Sequence, residues 1–153
     1  MKKLINLIAM MSLVTVLAGC GNALEIGAVA EQAVNTYRGV NMKIIDGSVT
    51  STGMTIEILN QTETEINSGN KNDFSIQVKK DGKWYEIQTK ERNNTSEAIV
   101  FLKDNPVQME ISWRSIYGIL PKGEYRIVKG FFSWTEEKGS GATFVLGAEF
   151  SIE

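Results

Sequence analysis

From Val40 to the end of the chain, apolar residues recur at every second position in short runs that are separated by polar or glycine-containing breaks. Val40, Met42 and Ile44 alternate with Asn41, Lys43 and Ile45 before Asp46-Gly47-Ser48, and Met54, Ile56 and Ile58 alternate with Thr55, Glu57 and Leu59 before a polar stretch over residues 60–72. A period of two puts one set of side chains on a buried face and the other toward solvent, which is the pattern of a half-buried strand. Phe74, Ile76 and Val78 mark a third strand, and Trp84-Tyr85-Glu86-Ile87 opens a fourth. Between them stands Lys80-Asp81-Gly82-Lys83, and Asp-Gly between alternating runs is a strong hairpin signal. Residues 98–102 read as a fifth strand, Val107, Met109, Ile111 and Trp113 as a sixth, and residues 124–132 and 143–152 as the last two.

The pattern therefore predicts roughly eight short strands over residues 40–153, with no amphipathic helix to compete. Many short strands divided by turns indicate an all-β, antiparallel β-sandwich of about 7–8 strands, with a closed barrel as the alternative. The prolines agree, since Pro106 precedes the sixth strand and Pro121 falls in a connection, where neither removes a ladder hydrogen bond. An outer-membrane barrel is excluded by the short strands and the polar breaks between them.

The N-terminal part has a different texture. Met1-Lys2-Lys3 is followed by an apolar run over residues 4–17, too short for a bilayer span and of signal-peptide length. It ends on Leu17-Ala18-Gly19-Cys20, which resembles the lipobox of bacterial lipoproteins. The resemblance implies cleavage between Gly19 and Cys20 and a diacylglycerol thioether on Cys20. Two acyl chains anchor durably, at about 0.8 kcal/mol per buried methylene. The expected organisation is a signal peptide over 1–19, a lipidated tether over 20–39 and a sandwich over 40–153. A short helix over residues 28–37 is compatible with the spacing but not required by it.

Composition narrows the chemistry. The 153 residues include no His and one Cys, so His-dependent nucleophile triads and zinc sites cannot form, and the lone thiol cannot make an intramolecular disulfide. Removal of residues 1–19 takes Lys2 and Lys3 but no acid, leaving 134 residues with 14 basic and 18 acidic side chains, a net charge of −4. That balance argues against a nucleic-acid partner. No cofactor and no metal are expected.

One segment is more specific. Leu120-Pro121-Lys122-Gly123-Glu124-Tyr125 resembles the tyrosine corner of immunoglobulin-like sandwiches, in which a Tyr at the start of a late strand bonds to backbone a few residues upstream. The resemblance gives Leu120, Gly123 and Tyr125 that role. The wider pattern is similar to bacterial immunoglobulin-like domains of small lipoproteins from monoderm bacteria. It is carried by Ser51-Thr52-Gly53-Met54-Thr55, Asn60-Gln61-Thr62, Gly82-Lys83-Trp84-Tyr85 and the segment from Trp113 to Arg126. No disulfide pair brackets Trp84, unlike the antibody pattern. The family implies a module rather than a reaction.

Candidate sites weigh little beside their structural readings. Glu63 with Glu65, and Glu136 with Glu137, read as solvated acids rather than a paired-carboxylate centre. Residues 67–73 are rich in oxygen ligands, but position twelve counted from Asn67 is Val78, which breaks the EF-hand spacing, and a turn explains the composition. Phe131, Phe132 and Trp134 lead into a charged, glycine-rich tip, making Phe132 and Trp134 a candidate binding loop, although core closure is the commoner use of such aromatics. The functional expectation is a lipid-anchored, extracytoplasmic, non-enzymatic binding or adaptor module. Its partners would be the membrane, through the lipid, and a protein or cell-envelope component. Inhibition of an extracytoplasmic protease is the alternative.

Overall fold

A computed structural model of the chain describes residues 24–89, 97–135 and 140–153, and the side chains at 134, 135 and 140 are not among those described. Ten strands follow one another with no helix among the described residues: β1 (Ile26–Val29), β2 (Val40–Ile44), β3 (Gly53–Asn60), β4 (Ile66–Ser68), β5 (Ser75–Lys80), β6 (Lys83–Ile87), β7 (Ile99–Phe101), β8 (Val107–Ser112), β9 (Gly123–Thr135) and β10 (Ser140–Ile152). They form two antiparallel sheets, one of seven strands and one of three ordered β2-β3-β8. The protein is all-β, with two antiparallel sheets, consistent with the β-sandwich that the alternation of its sequence predicts.

Strand β9 is the axis of the larger sheet. One of its edges pairs with β10 along its whole length, from Gly123↔Ile152 to Thr135↔Ser140. Its other edge is shared: β5 pairs with residues 125–128 and β4 with residues 131–133. Lys129 and Gly130 fall in the gap, where the chain passes from β4 to β5. The β5–β6 hairpin closes on Asp81 and Gly82, whose φ values of 49° and 74° are the left-handed pair that a tight two-residue turn requires.

Alternation decides the core. On β3, Met54, Ile56 and Ile58 are buried, and on β9, Tyr125, Ile127 and Phe131 face the same interior. Each fully buried branched aliphatic side chain contributes on the order of 1.5–3 kcal/mol. Phe131 stacks on Phe144 and meets Phe101 edge-on, while Phe150 lies between Trp113 and Tyr125. Asn60 ends β3 in a turn of its own making: its side-chain oxygen accepts from the Thr62 amide and hydroxyl, and its nitrogen donates to the Thr64 and Phe101 carbonyls.

Residues 24–39 depart from the expected tether. Ile26–Val29 form β1 on the edge of β6, and the Ala30 amide donates to the Trp84 carbonyl. The chain then crosses the outer face of the larger sheet to β10. There the Asn35 side chain both donates to the Gly147 carbonyl and accepts from its amide, each at 3.0 Å. Tyr37 stacks on Phe144 with centroids 4.0 Å apart before the chain enters β2. Neither helix nor tether describes this strap. It packs because Leu24, Ile26, Val34 and Tyr37 supply the apolar contacts.

Candidate functional site

The residues singled out in the sequence separate by structural role. Tyr125 is buried, and its hydroxyl donates to the Pro121 carbonyl at 2.7 Å. Burial pushes its phenol pKa up. Its ring lies over Gly123, where a β-carbon would meet it at 3.3 Å, so glycine gives the corner its clearance. Leu120 is buried beside it, and its amide donates to the Ser51 carbonyl. These three residues tie the β8–β9 connection to both sheets and expose no reactive group. Phe131 and Phe132 take opposite faces of β9, with Phe131 in the core and Phe132 42% exposed. The Trp134 side chain, Gly19 and Cys20 lie outside the described residues.

Catalytic chemistry finds no constellation among the described acids. Glu63 is exposed and pairs with Lys103. Glu57 pairs with Lys43 at 2.8 Å and accepts from Gln108 Nε2, and these two hydrogen bonds, Gln108 first, hold its carboxyl below the usual range. Such pairs on a sheet face are cross-strand contacts of ordinary kind.

The oxygen-rich loop after β4 gives an unforeseen arrangement. The carbonyls of Gly69, Asn70 and Asp73 do converge on a cation, but the cation is the ammonium of Lys129, which donates to them at 3.2, 2.8 and 2.9 Å. Lys129 is 1% exposed and occupies the gap in the pairing of β9. All three of its N–H donors are thereby engaged. Desolvation lowers its pKa to about 8, against an opposing pull from Asp73. The loop is thus wound around a fixed internal charge.

The wall made by this loop stands beside an open sheet edge. In the three-stranded sheet, β8 pairs among the described residues with β3 on one side only. The Trp113 amide donates to the Thr52 carbonyl at 3.0 Å, which sets the phase of the ladder. Because antiparallel residues alternate in the direction of their backbone groups, Met109 and Ile111 direct theirs toward β3, while Gln108 and Glu110 direct theirs outward. A groove of about 390 Å³ runs along this edge, between Asn70, Lys71 and Asn72 on one wall and Glu97 and Ile99 on another. Met109 reaches it from the core side, and Gln108 and Glu110 lie along it. Outward amides and carbonyls beside a groove with a partly apolar lining can receive an added strand.

Comparison with known proteins agrees with the topology. The family model described as a bacterial Ig-like domain matches residues 36–151. No curated protein and no solved structure matches the chain.

Proposed function

The chain belongs to the family of bacterial Ig-like domains, and on that premise we propose that it is a lipid-anchored binding module on the extracytoplasmic face of the cell membrane. Its partner is a protein or an envelope component, and its role is adhesion or adaptation rather than turnover. Support for the anchor comes from Leu17-Ala18-Gly19-Cys20 at the end of the apolar leader. The observation that carries the binding role is the open edge of β8, whose outward backbone groups lie beside a groove.

Two experiments test the two halves. Cys20→Ser moves the protein from the membrane fraction to the soluble one, and its continued sedimentation with membranes would remove the anchor from the proposal. For the binding half, a photoreactive residue is placed at position 108 or, as a control, at exposed position 122 on the tyrosine corner. In intact cells, position 108 gives a discrete crosslinked adduct and position 122 does not. Equal labelling from both positions would rule out the β8 edge.

A further inference from the structure

An immunoglobulin sandwich of the constant type carries four strands in the sheet opposite its late hairpin, and among the described residues that sheet has three. The missing position is the one beside β8. We propose that this edge takes a single extended polypeptide segment bearing a basic side chain, which becomes a fourth strand of the sheet. The inference deepens the edge-binding reading above and rests on it.

Three features specify the occupant. First, the amides and carbonyls of Gln108 and Glu110 point outward and offer two donors and two acceptors in strand register. Second, the groove has an apolar part, Ile99 and Met109, between walls that are in place before any partner arrives. The loop wall cannot drift easily, because the buried Lys129 ammonium holds three of its carbonyls. A groove beside outward strand groups suits an extended segment, and a loop wall already held in place adds no ordering cost of its own. Third, the charge along the edge is unbalanced. Glu57, one strand further in, is neutralised by Lys43. Among the described residues Glu110 and Glu97 have no ion-pair partner, and Lys71 is the one cation lining the groove. A side chain directly across from Glu110 on an added strand faces that carboxylate at cross-strand distance, where an opposite charge is favoured and a like charge is disfavoured.

The test uses the full mature chain and blocked nine-residue peptides that alternate Val with Thr and carry Arg, Gln or Glu at two outward positions. Binding is read by fluorescence anisotropy at low salt. The Arg peptide binds about tenfold more tightly than the Glu peptide, with Gln between them, and the preference shrinks as salt is raised. The Glu97→Lys/Glu110→Lys double variant inverts the order. Gln108→Pro removes an outward amide without breaking a backbone bond to β3, and the one bond to β3 it forfeits is the exposed side-chain contact with Glu57, so it retains a cooperative thermal unfolding transition and loses the peptide. If that variant fails to fold, the charge-reversal variant alone decides.

Equal binding of all three peptides, abolished by Gln108→Pro, would overturn the charge inference while leaving the edge reading intact. Binding by none would overturn both. A concentration-dependent dimer that Gln108→Pro converts to monomer would identify the occupant as a second copy of the chain and overturn the proposal. Binding of the Arg peptide by Gln108→Pro at full strength would also overturn it.

Discussion

Lys129 occupies an inward position between Ile127 and Phe131, where the strand pattern calls for another apolar side chain. A methionine there would fill a similar volume without desolvating a charge. What it could not do is hold the carbonyls of Gly69, Asn70 and Asp73, each of which costs on the order of 1–3 kcal/mol if buried without a donor. Lys129→Met is therefore predicted to lower stability by about 3 kcal/mol, measured by urea unfolding, with amide exchange in residues 69–73 accelerating first. The same residue sets a pH dependence. Its folded pKa of about 8 lies below the usual 10.5, so between these values the unfolded chain holds a proton that the folded chain does not. Stability supplied by this group rises with pH across that window, by roughly 1–3 kcal/mol, and is least at pH 8 and below. The measurement is the difference between wild type and Lys129→Met at pH 8 and pH 10; a gap that fails to widen with pH would contradict the assignment. Tyr125 is the milder case. Tyr125→Phe keeps the ring over Gly123 and loses the hydrogen bond to the Pro121 carbonyl, at a cost of about 1 kcal/mol.

Strands with long, clean alternation were legible in the sequence because one face of each is buried and the other is not. Residues 107–113 are an example: Met109, Ile111 and Trp113 are buried and Gln108, Glu110 and Ser112 exposed. Two strands were not legible. β4 has three residues in a polar stretch, with Ile66 its one apolar side chain, and it forms because the edges of β9 and β7 are both free to receive it. β1 lies among small, weakly apolar residues, and the segment that follows it is fixed by the clip that Asn35 makes six residues after Val29. The open edge was illegible for a related reason: alternation shows that β8 is a strand but not that it has one neighbour among the described residues. Lys129 did carry a signal, since a charged residue in the inward phase of a strand demands a partner. The clip itself is testable. Asn35 has φ of 60°, a conformation Asn tolerates better than other branched or bulky residues. Asn35→Ala loses both side-chain bonds to Gly147 and adds strain at that angle, so stability falls by about 1–2 kcal/mol. Faster exchange of the Gly147 amide is the local readout.

At the scale of the whole molecule, the strap redraws the limits of the folded body. The family match starts at residue 36, yet the packed chain starts by Leu24, with Ile26 and Val29 paired to β6 and Val34 against Gly147 and Arg126. The surface it covers is polar as well as apolar. Arg126 is 8% exposed, donates twice to Gln77 and lies 4.7 Å from the centroid of the Trp84 ring, and desolvation holds its pKa below the usual value. Removing the strap rehydrates this stack and leaves β6 and the middle of β10 without their outer partners. A chain starting at residue 36 therefore folds but is less stable than one starting at residue 24, by 1 kcal/mol or more, a fall of roughly 3 to 6 °C in Tm for a domain of this size. Equal Tm for the two chains would make the strap an accessory rather than part of the body. The same geometry bears on the proposed anchor, because Leu24 comes only four residues after Cys20. At about 3.5 Å per residue, these span roughly 14 Å when fully extended. An anchor at Cys20 would hold the sandwich close to the lipid rather than on a long stalk, and a flexible insert placed after Asn22 is expected to make residues 24–30 more accessible to protease in intact cells while leaving Tm unchanged.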